Sequence, residues 1–275
     1  MPLVVAPLLY AAASLGQTND VMEILSGPGA NTEVTAGALH CTPLHVAAQH
    51  GNFIVMLHLL DHGANVSSTD RDGWTPLHYA CFRNCQIATV LLIHHGADVS
   101  HTATSGLSPL MLAARMGHCR LAELLIYKGA DLHATDRNNT TSLHCAVVGK
   151  HANVVELLIR NAADTTATTT SGHTPYSLAV YHGHIDIAVL LQQGQQQQQQ
   201  NGLTAAPPAE PVTTTPAAPV TPESTGKNKL VQFLTPQRFF TAVESIGHQI
   251  VHRKVPPPHH SQRLTTGIGP ITRVI

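Results

Sequence analysis

From Thr42 to Gly63 the apolar residues fall into two short helical sets separated by a glycine. Leu44, Ala47 and Ala48 occupy one face of a first helix, and Val55, Leu59 and Leu60 form the buried set of a second. Thr42 is a good N-cap and Pro43 a good first helical residue, because that position needs no backbone donor and proline presets its φ. Gly51 supplies a left-handed stop. The second helix is expected from about Ile54 to Asp61, with Gly63 ending it in the same way. Ala64 to Asp72 then runs out and back as a short hairpin, and Asp70-x-x-Gly73 is its turn. The small residues of the first helix predict close approach to a neighbouring helix.

This pattern recurs. Thr42-Pro43-Leu44-His45 returns as Thr75-Pro76-Leu77-His78, Ser108-Pro109-Leu110-Met111, Thr141-Ser142-Leu143-His144 and Thr174-Pro175-Tyr176-Ser177, each copy 33 residues after the last. Gly63-Ala64-Asn65, Gly96-Ala97-Asp98, Gly129-Ala130-Asp131 and Ala162-Ala163-Asp164 keep the same spacing. The period and wording resemble the ankyrin repeat. The expected fold is therefore an all-α solenoid: an ankyrin stack of helix-turn-helix units with short β-hairpin connections over residues 1–194, followed by a largely disordered tail. Repeats are placed at about 2–32, 42–71, 75–104, 108–137, 141–170 and 174–194, the first degenerate. A helix pair of this size cannot cover its own apolar face, so it stacks on a copy of itself.

Departures from the pattern carry physical meaning. Asn84 and Asn139 replace turn glycines, and asparagine tolerates positive φ better than other side chains. Lys150 falls in the same slot, where Gly149 is expected to take over the turn. Ser142 loses the proline and Ala162 the second glycine, which makes the fifth copy the weakest joint. Gln192 replaces Ile93, Ile126 and Ile159 in the last copy, as a wetter terminal face requires.

After Gly194 the composition changes to Gln195–Gln200 and then to Pro, Thr and Ala. Residues 195–234 are expected to be a linker that buries too little apolar area to order. Over 235–255 an amphipathic helix is expected, capped by Thr235-Pro236, with Phe239, Val243, Ile246 and Ile250 on one face. Pro256-Pro257-Pro258 ends it, and 256–275 are expected to be disordered.

Net charge is −1, but residues 1–202 carry 8 basic and 13 acidic groups while 203–275 carry 7 and 3. Neither balance advertises nucleic acid. Five cysteines without a CxxC pair fit a reducing compartment, and Cys81 sits in a small-residue core slot. The apolar start lacks a basic n-region, and its Leu9, Ala12, Ala13 and Gly16 fall onto Leu44, Ala47, Ala48 and Gly51. It is accounted for as a repeat helix rather than a signal peptide. No run approaches a membrane span. An intracellular protein, cytoplasmic or nuclear, is expected, and a monomer.

Twenty histidines raise the question of metal. His45, His78 and His144 belong to the repeated phrase and are spread along the stack, too far apart to share one ion, so no metal or other cofactor is expected. What the ankyrin resemblance implies for these histidines is a hydrogen bond to the adjoining loop backbone. No GxSxG, HExxH or GxGxxG motif appears, and Ser224-Thr225-Gly226-Lys227 lacks the upstream glycine of a phosphate loop. An enzyme is not expected.

The resemblance implies a protein partner in the groove of hairpin tips and first helices. Register then assigns Arg71, Trp74, Phe82 and Arg83 in the third copy, Leu107, Arg115 and Met116 in the fourth, Arg137 in the fifth, and His173 and Tyr181 in the sixth. Trp, Phe, Met and Arg over adjacent repeats match interface hot spots, although Trp74 and Leu107 are equally accounted for by packing on neighbouring hairpins. The expected function is a non-catalytic scaffold or adaptor. The alternatives are an inhibitor whose C-terminal helix masks the groove, and a non-catalytic subunit of an enzyme complex.

Overall fold

A computed structural model describes residues 5–204, with side chains described over 8–198. Among the described residues twelve helices alternate as first and second members of six pairs: α1 Val5–Leu15 with α2 Thr18–Ser26, α3 Pro43–His50 with α4 Phe53–Asp61, α5 Pro76–Phe82 with α6 Gln86–His94, α7 Pro109–Arg115 with α8 Cys119–Tyr127, α9 Ser142–Val148 with α10 Ala152–Arg160, and α11 Pro175–Tyr181 with α12 Ile185–Thr204. The first helices stack in chain order, α1 on α3 through to α9 on α11. Second helices do the same, α2 on α4, α4 on α6, α8 on α10 and α10 on α12. The result is the expected helical repeat solenoid.

The core lies between the two helical layers. Leu44, Leu77, Leu110 and Leu143 are fully buried, as are Ala47, Ala80, Ala113 and Ala146. A cavity left by truncating such a leucine costs about 2–5 kcal/mol, so these positions dominate the stability of each interface. At the last repeat Tyr176 takes the leucine slot and stays 38% exposed, since among the described residues no further repeat covers it.

Hairpin tips couple each repeat to the next through the backbone. Within a tip, Asp70 N–H donates to Trp74 O (2.9 Å) and Gly73 N–H to Asp70 O (3.0 Å). Between tips, Arg71 N–H donates to Leu39 O (2.9 Å), Thr104 N–H to Asp72 O (2.9 Å), Arg137 N–H to Ser105 O (3.1 Å) and Thr170 N–H to Asn138 O (2.9 Å). This close approach is why Gly106 is needed: besides its φ of 84°, a Cβ there would sit 2.7 Å from Asp136 Cα. The arms are too short to register as strands. Among the described residues the ladder is reduced to one isolated bridge, Ala36 to Cys41.

Two local expectations are corrected. Lys150 takes the left-handed conformation itself (φ 60°), while Gly149 is right-handed (φ −71°); the glycine serves close packing instead, since a Cβ there would meet Arg115 O at 2.4 Å. The end of the last repeat at Gly194, with a linker from 195, is also corrected, because α12 continues through the glutamines to Thr204. Gly194 does not stop the helix. It is buried and lets α12 approach α10, since a Cβ would lie 2.7 Å from Ile159 Cγ2. The glutamines stand one period after the loop at Ala163 and Thr165 and hydrogen-bond it: Gln198 accepts from Thr165 Oγ1 (2.8 Å) and donates to Ala163 O (2.9 Å), and Gln195 donates to Thr165 O (3.3 Å). The rest of the expected linker, the amphipathic helix over 235–255 and residues 256–275 lie outside the described residues.

The fifth repeat carries the strain its sequence implies. Ala162 is held at φ 61°, and the buried hydroxyl of Ser142 has no hydrogen-bond partner among the described residues. Ala162→Gly relieves the first, and Ser142→Pro removes the second while presetting φ at the helix start. Each should stabilise the array by about 1 kcal/mol, raising Tm by about 2–4 °C in thermal melts. A neutral or negative effect of both would show that this joint is not the weak one.

Candidate functional site

The repeated histidine builds the framework on which the candidate residues sit. Thr42 N–H donates to His45 Nδ1 (3.1 Å), and His45 Nε2 lies 2.9 Å from Trp74 O. An amide can only donate and a carbonyl can only accept, so the ring is neutral with its proton on Nε2. His78 repeats the arrangement with Thr75 N–H (3.2 Å) and Leu107 O (3.1 Å). His144 does so with Thr141 N–H (3.2 Å) and His173 O (3.1 Å). Each histidine thus caps its own helix and clamps the next hairpin. In the fourth repeat Met111 occupies the slot, and the Ser108 hydroxyl alone caps, accepting from Met111 N–H (3.2 Å).

The clamped carbonyls belong to Trp74, Leu107 and His173, three of the residues that register assigns to the binding face. Trp74 is half-buried, with its ring against His78 (5.9 Å between centroids), Tyr79 (5.3 Å) and Phe82 (5.9 Å). Below it the sequence reading missed a buried network. Tyr79 Oη donates to Asp70 Oδ2 (2.6 Å), while Asp70 Oδ1 accepts from Asp72 N–H (2.9 Å) and Trp74 N–H (2.8 Å). Only the Asp-x-x-Gly turn signal pointed to it. Burial, foremost, and the bond to Asp70 push the Tyr79 hydroxyl far up, so it stays a donor. Leu107 is likewise half-buried against the core.

Outside this framework, Phe82 (36% exposed) and Met116 (41% exposed) line a depression of about 400 Å³ with Arg83, Gln49, His50 and His118. His118 Nε2 donates to Phe82 O (3.3 Å), and one repeat later His151 Nε2 donates to Arg115 O (3.1 Å). The sequence reading left His118, Gln49 and His50 out of this face, although the 33-residue register brings Gln49 opposite Phe82. Arg71 and Arg137 are exposed on the row of hairpin tips, and Arg83 and Arg115 on the row of first-helix ends. His173 and Tyr181 form a separate pair in the sixth repeat, centroids 6.3 Å apart, with Tyr181 78% exposed.

The family model described as ankyrin repeats (3 copies) matches twice, over residues 8–103 and 104–201. The chain belongs to the ankyrin repeat family. No curated protein matches it. Ankyrin repeats are generally protein–protein interaction modules and generally non-catalytic. The side chains of this ankyrin array offer little chemistry of their own. Burial pushes all five thiols up, Cys81 and Cys145 to about 12, so none is an activated nucleophile. Among the described residues no group of three His, Cys, Asp or Glu is placed to hold a metal ion, and no helix is long and apolar enough to cross a membrane.

Burial lowers the affinity of His45, His78 and His144 for a proton, His78 to about 4. In the unfolded chain these rings titrate near 6.5, so above that pH neither state binds the proton and stability is full. As pH falls toward 4 the unfolded chain takes up protons that the folded one refuses. His78 alone should remove on the order of 3 kcal/mol between pH 6.5 and 4. Urea midpoints should therefore be flat from pH 8 to 7 and fall below 6.5, with a shallower fall in His78→Met, which copies the residue at Met111. A midpoint independent of pH down to 4.5 would contradict the neutral clamp.

Proposed function

We propose that the chain is a non-catalytic scaffold or adaptor that holds a protein partner on the face built by hairpin tips and first-helix ends. The observation that carries this reading is the pairing of Phe82 and Met116, exposed apolar side chains on neighbouring repeats, across one depression edged by Arg83. Aromatic, methionine and arginine side chains at the rim of a concavity are the composition of interface hot spots. Arg71, Arg115 and Arg137 extend the face as charged contacts, and His173 with Tyr181 supplies a second aromatic contact toward the last repeat. Trp74 and Leu107 act mainly from beneath, their half-buried side chains and clamped carbonyls fixing where Phe82 and the tips stand. The free thiols fit a reducing compartment, and we place the protein inside the cell.

The two kinds of residue separate experimentally. Phe82→Ala with Met116→Ala should reduce recovery of co-purifying proteins by full-length bait several-fold and change Tm by less than about 2 °C. Trp74→Ala, which opens the ring cluster, should lower Tm by several degrees. Unchanged recovery by the Phe82/Met116 variant would remove this face as the binding site.

A further inference from the structure

Resting on the assignment of this face as the protein-binding one, we propose that its partner is an acidic segment with apolar anchors. Charge is distributed unevenly around the array. The first helices α3, α5, α7, α9 and α11 contain no Asp or Glu at all. The carboxylates on helices lie on the second layer, among them Asp61, Glu123, Glu156 and Asp186. Two of the carboxylates near the tips are turned inward by the backbone: Asp70 as above, and Asp136, whose Oδ1 accepts from Asn138 N–H and Thr140 N–H at 2.8 Å each. Asp72 is left as the exposed tip carboxylate. Against it stand Arg71, Arg83, Arg115 and Arg137, all exposed and, among the described residues, without an ion-pair partner. Each first-helix end adds only about half a negative charge, less than the whole positive charge of Arg83 or Arg115.

Four unpaired guanidiniums on one face, with Arg83 among them lining the depression beside Phe82 and Met116, suit carboxylates, which they bind through two parallel hydrogen bonds. The repeat rise also sets a spacing, since Phe82 and Arg115 stand one 33-residue period apart, as do Arg83 and Met116. Helices of neighbouring repeats stack about 10 Å apart, the rise of roughly three residues of extended chain. A bound strand would place acidic residues three or four apart, on Arg83 and Arg115, with an apolar residue between them entering the depression beside Phe82 and Met116. The chain's own tail is the wrong occupant, because residues 203–275 carry 7 basic and 3 acidic groups and the arginines repel it.

The test is an unbiased selection of random 16-residue peptides on the immobilised full-length protein at low salt. Enriched sequences should be net negative, with Asp or Glu three or four apart around Phe, Leu, Ile or Met. The best peptide should bind Arg83→Gln/Arg115→Gln about five- to tenfold more weakly, a loss that shrinks at high salt. Its Glu→Gln isostere should lose a similar factor on the unaltered protein, which needs no variant to fold. Enrichment of neutral or basic peptides that need Phe82 but not the arginines would overturn the acidic partner and leave the binding face standing. No enrichment would remove both. Displacement of the best peptide by a 20-nucleotide single strand at a lower concentration than the peptide itself requires would give the arginines to nucleic acid and overturn the proposal.

Discussion

A helix pair of some thirty residues has an apolar face that it cannot cover alone, and everything else in this protein follows from how that face is shielded. Leu44, Leu77, Leu110 and Leu143 are fully buried because each lies between its own pair and the next. No repeat possesses a private core, so stability is a property of the interfaces, and any element that fixes the distance between repeats acts on all of it. The neutral histidines and the tip-to-tip backbone bonds are such elements. They convert a greasy stack, which area alone would let slide, into a ladder with a fixed rise.

The same division of labour shapes the face proposed for binding. Residues whose backbone is clamped, such as Trp74 and Leu107, serve the framework, and their neighbours Phe82, Arg83, Arg115 and Met116 are held outward at fixed intervals. The backbone that carries them is fixed in advance, so on the reading proposed above the ordering cost of binding is confined to side-chain rotamers. At the far end the glutamines of α12 meet the loop at Ala163 and Thr165 with hydrogen bonds rather than apolar area. A terminal surface covered by polar side chains resists further stacking.

Much of this was legible in the sequence because the signals are local and repeated. Thr-Pro starts, glycine or asparagine stops and the 33-residue period fix helices, turns and register, and the strain at Ala162 and the orphan hydroxyl of Ser142 follow from single departures. Two features were not legible, for a tertiary reason. The last repeat is bounded at Gly194 by composition, yet close contact with Ile159 gives that glycine a packing role inside a helix. Asp70 reads as a turn residue, and only the fold reveals that Tyr79 from the following helix reaches it. For the face proposed for binding, register assigned candidate residues but not their burial. It could not say that Trp74 is half-buried with its ring against Tyr79 and Phe82, whereas the lack of Asp and Glu in the first helices was there to be read.

The claim on which all of this depends is that the repeats form an extended stack rather than a shared globule. Small-angle X-ray scattering on residues 5–204 measures that directly. Six pairs rising about 10 Å each give a radius of gyration of about 20 Å and a skewed distance distribution with a long tail, whereas a globule of 200 residues has about 16 Å. The larger value is the one this structure requires. A symmetric distribution at the smaller value would contradict it, and with it the continuous outer face proposed for binding.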